Sequence, residues 1–84
     1  MINYLMICRS LTYAQKAAKV LERAGMTVSV TRTPPGISEK GCGYCIKVPE
    51  RRLSQALEML KSADLAPTKI YVLFSDGNYS EVGL

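Results

Sequence analysis

Apolar residues recur along this chain with two periods, and the points where one gives way to the other divide it into six elements. Asn3 to Cys8 is a short, β-prone apolar run. Ala14, Ala17, Ala18, Leu21 and Ala24 then return at helical spacing, and Gly25 stands where helices often end. Either Ser10 caps the start of this helix or Thr12 does, with Gln15 three residues later in a capping-box arrangement. Met26 to Thr31 alternates as a half-buried strand, with Val28 and Val30 inward and Thr27, Ser29 and Thr31 outward. Tyr44 to Val48 reads as a third strand, with Ile46 and Val48 inward and Cys45 and Lys47 outward. Pro49 suits the first turn of a second helix, whose buried stripe is Leu53, Ala56, Leu57 and Leu60 and which ends near Ala63, before Ala66-Pro67. Lys69 to Phe74 is a fourth strand.

The order βαββαβ predicts an α+β fold, the ferredoxin-like two-layer sandwich with two helices on one face of a four-stranded antiparallel sheet. Residues 1–74 form this single domain, and 75–84 read as a turn at Asp76-Gly77-Asn78 followed by a loosely held tail. In such a sheet the first and third strands are antiparallel neighbours. The end of the first, Cys8, then lies beside the start of the third, Cys45, and near Cys42, so that all three sulfurs gather at one pole. The N-terminus of the first helix, whose free amides favour an anion, belongs to the same pole. Arg9, Arg32 and Lys40 are close to it in sequence, whereas Arg51 and Arg52 fall at the opposite pole. The sheet face away from the helices is expected to show Tyr4, Met6, Tyr71 and Leu73, a patch that suggests a homodimer or a docked partner.

Composition narrows the function classes. At 9.2 kDa the chain has room for one core, burying only about 60% of its unfolded surface. Its mean hydropathy of +0.04 is that of a soluble domain, and no apolar run approaches the roughly 20 residues of a membrane helix. The opening Met1-Ile2-Asn3-Tyr4 lacks a basic leader, so a cytoplasmic location is expected and a membrane partner is not. Three cysteines, an odd number, argue against a disulfide framework. The absence of histidine excludes imidazole-based nucleophilic catalysis and leaves a structural zinc site short of ligands, so no metal is expected. No phosphate-cradling loop appears, and no cofactor is expected. The net charge of +4 is spread along the chain, and Tyr44-Cys45-Ile46-Lys47-Val48 lacks the Lys/Arg-Gly-aromatic pattern of sheet-based RNA binders, so nucleic acid ranks last among partners.

One loop concentrates the chemistry. Thr33-Pro34-Pro35-Gly36-Ile37-Ser38 leads into Gly41-Cys42-Gly43-Tyr44-Cys45, a Cys-x-x-Cys pair framed by glycine. A cysteine between glycines presents its sulfur and neighbouring backbone amides to a small partner, and a cationic, helix-dipole environment favours its thiolate. Cys42 is read as a reactive thiol. Cys45 is either a resolving thiol or an ordinary small strand residue, and Cys8 reads as a buried small hydrophobe that packs beside the site.

The run Pro34-Pro35-Gly36-Ile37-Ser38-Glu39-Lys40-Gly41-Cys42-Gly43, together with Ser10 and Ala14 opening a helix after the first strand, resembles the selenium/sulfur carrier protein-like family known as DUF3343, from Asn3 to about Phe74. The resemblance implies a cysteine that holds selenium or sulfur as a persulfide-like adduct and exchanges it with donor and acceptor proteins. Cys42 and Gly43 match the position that carries the adduct. The expected site thus has Cys42 and Cys45 as its working thiols, with Gly41, Gly43, Ser38, Arg9, Ser10 and Cys8 around them. The rival readings are an interaction or regulatory module using the sheet face, and a metal or redox module using Cys8, Cys42 and Cys45.

Overall fold

A computed structural model of the chain describes residues 2–34 and 43–82. Its elements run β1 (Asn3–Cys8), α1 (Leu11–Arg23), β2 (Ser29–Arg32), β3 (Tyr44–Pro49), a 3-10 turn (Glu50–Arg52), α2 (Leu53–Ser62), β4 (Lys69–Leu73) and β5 (Tyr79–Val82). The strands form one antiparallel sheet in the order β2-β3-β1-β4-β5, with both helices on one face. The α+β two-layer class is the expected one.

Both helices begin and end for identifiable reasons. Ser10 has extended backbone and its hydroxyl accepts from the Tyr13 amide at 3.2 Å, which settles the cap in favour of Ser10 over Thr12. At the other end Gly25 takes a φ of +86°, its amide donates to the Glu22 carbonyl, and the Met26 amide donates to the Leu21 carbonyl. These paired bonds turn the chain out of the helix, and Ala24 is the C-cap instead of a core residue. The end of α2 repeats the pattern, with Asp64 at φ 58° in the glycine-preferred place and Leu65 reaching back to the Leu60 carbonyl at 2.8 Å. In both helices the residue after the turn is apolar and packs on the core, Met26 beside α1 and Leu65 beside α2.

The core lies between the sheet and the helices. Ala14, Ala17, Ala18 and Leu21 of α1 and Ala56 and Leu60 of α2 meet Met6, Cys8, Ile46, Val48 and Ile70 of the sheet. Alanines on α1 let the helix backbone lie close to the sheet, and larger side chains from β1, β3 and β4 fill the layer between.

Four expectations change. The sheet has five strands where four were expected, because part of the stretch read as a tail pairs with β4 over Ile70↔Val82 to Leu73↔Tyr79. The turn between them is the predicted Asp76-Gly77-Asn78, built by Gly77 at φ +91° and by the Asp76 carboxylate accepting from the Asn78 amide at 3.0 Å. Pro49 ends β3 with extended backbone, and α2 starts only at Leu53, after the 3-10 turn. β2 starts at Ser29, three residues later than its alternation suggested. Finally, β1 faces the other way: Tyr4, Met6 and Cys8 point to the helices, while Leu5 and Ile7 lie on the open face. A central strand that is apolar on both sides carries no alternation from which to read its phase.

Candidate functional site

The register of β1 and β3 brings two cysteines to the expected pole and separates them. Cys8 pairs with Tyr44 and Ile7 pairs with Cys45, so Cys8 and Cys45 occupy adjacent rungs at the end of β1 and the start of β3. Neighbouring residues of a strand point to opposite faces. Cys8 belongs to the core cluster under the helices, whereas Cys45 shares the open face with Ile7 and Thr31.

Their surroundings differ in kind. Cys8 is 6% exposed, and its thiol lies 3.7 Å from the Met6 carbonyl in an otherwise apolar setting among the described residues. Burial, and secondarily the nearby Cys45 sulfur, push its pKa from the ordinary 9.0 up to about 11. Cys8 is thus held as the neutral thiol, in keeping with its reading as a buried small hydrophobe. Cys45 faces away from the core cluster as expected, yet it has no exposed surface; its cross-strand neighbours are Ile7 on β1 and Thr31 on β2. The Thr31 hydroxyl is 3.3 Å from the Cys45 sulfur, a geometry in which either group can donate. That contact joins an exposed edge-strand hydroxyl to a buried thiol, and strand periodicity alone could have pointed to it, since Thr31 and Cys45 were both read as outward.

The loop before Cys45 is fixed at its ends. The Thr33 amide donates to the Gly43 carbonyl at 2.9 Å and continues the β2–β3 ladder one step past Arg32↔Tyr44. Thr33 is itself buried, and its hydroxyl has no hydrogen-bond partner among the described residues. Cys42, with Gly41, Ser38 and Lys40, lies outside the described residues. Gly43 supplies a carbonyl to the closing bond. Ser10 spends its hydroxyl on the α1 cap, and the Arg9 guanidinium stacks over the Tyr13 ring at 4.8 Å, so both residues serve the start of α1 at this pole.

Among the described residues, cavities occur away from these cysteines. One of about 250 Å³ lies at the opposite pole against Ile2, Pro49, Glu50 and Arg51, and the other, of about 420 Å³, runs between α1 and β2 against Gln15, Ala18, Lys19, Glu22 and Val30. Neither is lined by a described cysteine. Among the described residues no three Cys, Asp or Glu side chains gather as metal ligands, and no helix is long and apolar enough to cross a membrane.

The open sheet face also needs restating. Tyr4 and Met6 do not lie on it; Leu5 and Ile7 take their places beside Tyr71 and Leu73. Leu5 is buried, the other three are half-buried, and Lys47, Lys69 and Glu81 surround them.

The fold and the pole therefore define a small α+β domain with a thiol at the start of a central strand and another cysteine three residues before it in sequence. The chain belongs to the family described as "Putative Se/S carrier protein-like", whose model matches residues 3–72 and thus covers both cysteines of the Cys42-x-x-Cys45 pair. No curated protein and no solved structure matches it. Membership in a carrier-like family implies, in general terms, proteins that give and take the carried atom.

Proposed function

We propose that this protein carries selenium or sulfur on Cys42 and releases it with the help of Cys45. The observation that carries the reading is the family match across the whole cysteine pair. The geometry of the described thiols supports a division of labour. Cys8 is buried under the helices with a pKa of about 11, which leaves it almost without thiolate at neutral pH. Cys45 stands three residues after Cys42 in sequence, on the face away from the core cluster. A Cys42 thiolate attacks the outer sulfur of a donor persulfide, the donor's S–S bond breaks, the donor leaves as its thiolate, and Cys42 becomes Cys42–S–SH. The Cys45 thiolate then attacks the Cys42 sulfur, the bond to the terminal sulfur breaks, and hydrosulfide leaves. Two cysteines are oxidised to a disulfide while the carried atom is reduced, so the step balances without another oxidant. A selenium atom supplied by a donor selenopersulfide follows the same route and leaves as hydroselenide.

The test is intact-mass spectrometry of the reduced protein after anaerobic incubation with a persulfide donor or with a glutathione selenopersulfide, for wild type, Cys42→Ser and Cys45→Ser. The expected result is an adduct of one sulfur or selenium that vanishes in Cys42→Ser and persists in Cys45→Ser, where release is blocked. No adduct on any form with accessible thiols overturns the carrier reading. The half-buried Ile7, Tyr71 and Leu73 on the open face favour a second reading, self-association through that face; sedimentation of wild type and Tyr71→Glu tests it, and a wild-type monomer over the working concentration range removes it.

A further inference from the structure

The charge that looks scattered in sequence is gathered in the fold. Residues 1–34 hold five of the 11 basic residues, namely Arg9, Lys16, Lys19, Arg23 and Arg32, and one of the seven acids, Glu22. The remaining residues hold six of each, so the first β-α-β unit supplies the whole net charge of +4. That unit is one side of the molecule: α1 lies over β2, β3 and β1, and β2 is an edge strand.

Within the unit, the cations share one face. The buried stripe of α1 is Ala14, Ala17, Ala18 and Leu21. At about 100° per residue, Lys16, Lys19 and Arg23 fall on the opposite side, and all three are exposed. They follow one another at three- and four-residue steps, the spacing at which like charges on a helix repel. Lys16 and Arg23 have no acid three or four residues away along α1; Glu22 serves Lys19 alone. The ridge begins near the thiol pole, since α1 starts directly after β1 and Arg9 is held there over Tyr13. Arg32 reaches the same pole from the end of β2, because β2 and β1 both run antiparallel to β3. Beside the ridge, the groove of about 420 Å³ has Ala18 and Val30 in its lining and offers a seat for an apolar side chain.

We infer that the outer face of α1, from Arg9 to Arg23 with Arg32 beside it, is the docking surface for an acidic protein that exchanges sulfur or selenium at the thiol pole. This rests on the carrier reading for the purpose of the contact, while the surface itself is argued from charge. Self-repulsion along the ridge is relieved when carboxylates of a partner face it, and one-sided charge orients the encounter so that the partner arrives over the pole that bears the cysteines.

The probe is a fluorescent oligoglutamate peptide, measured by anisotropy and by amide shift mapping on the labelled protein, with a single-stranded RNA oligonucleotide as competitor. Lys16→Gln/Lys19→Gln is compared with Arg51→Gln/Arg52→Gln, which removes the same charge at the opposite pole. The expected result is that peptide shifts centre on α1, that raised salt weakens binding, and that the α1 pair loses about fivefold to tenfold in affinity while the Arg51/Arg52 pair changes by less than about twofold. Equal losses in both pairs, shifts spread over Lys47, Lys61 and Lys69, or RNA displacing the peptide from α1 at lower concentration each overturns the inference. Adduct formation on Cys42 with a small inorganic polysulfide needs no docked protein. An α1 variant that still takes the adduct therefore separates failure of the docking surface from failure of the carrier reading.

Discussion

Cys8 is the thiol whose behaviour the structure specifies most closely, and its silence can be measured. Its pKa of about 11 against the ordinary 9.0 leaves about one hundredth as much thiolate at neutral pH as an unperturbed cysteine has. A more basic thiolate is also a better nucleophile, and with a Brønsted coefficient of about 0.45 this returns about eightfold. The electronic effect alone therefore slows alkylation about twelvefold. Burial adds to it, because a side chain 6% exposed meets the reagent only when the core opens locally. The expected outcome is that iodoacetamide labels Cys8 well over tenfold more slowly in the folded protein than in the chain unfolded in urea, followed by mass spectrometry of the Cys8 peptide in quenched samples. The sign of the pH dependence is fixed by the direction of the shift. The neutral thiol's contribution to stability is whole below pH about 9 and is lost as pH rises toward about 11. Cys8→Ala removes that titration, so the difference in melting temperature between wild type and Cys8→Ala narrows across this window. Equal labelling of folded and unfolded chains, or a difference that does not change between pH 9 and 11, refutes the placement of Cys8 under the helices.

Asp64→Gly relieves a left-handed residue at the end of α2 and is expected to raise stability by about 0.5–1 kcal/mol in urea titration. A chain ending at Phe74 loses β5 and the packing of Val82 on the core, and its expected cost is about 2 kcal/mol, with β4 left as an open edge that promotes association; melting and light scattering check both. Thr31→Val removes the hydroxyl beside the Cys45 sulfur, and single-turnover release of sulfide is expected to slow severalfold while loading of Cys42 is unchanged.

The parts of the fold that were legible in the sequence are those where one face is polar. α1, β2 and β3 alternate between buried and exposed sides, and Ala14, Leu21, Val30 and Ile46 are found where periodicity put them. β1 was legible as a strand but not in phase, since Tyr4, Leu5, Met6, Ile7 and Cys8 are apolar on both sides of the strand. β5 was not legible because Tyr79-Ser80-Glu81-Val82 sits at an edge and contributes only Val82 to the core. For the site, the meeting of Cys8 and Cys45 at one pole followed from topology. Their separation by the sheet depended on the phase of β1, the one feature that the pattern could not supply.

That separation has a chemical consequence. A sheet backbone lies between the two sulfurs, and each points away from the other, one among helix alanines and the other toward Thr31. A disulfide needs Cβ atoms about 3.5–4.5 Å apart with their bonds directed toward each other. Adjacent rungs give closeness without that direction, so oxidation joining Cys8 to Cys45 demands that β1 or β3 leave the sheet. A disulfide at Cys45 that leaves the sheet intact therefore needs a thiol that reaches its own face; Cys42 precedes it by three residues in sequence. By burying Cys8 under its helices and turning Cys45 to the other face, the sheet keeps these two sulfurs from joining for as long as β1 and β3 stay paired.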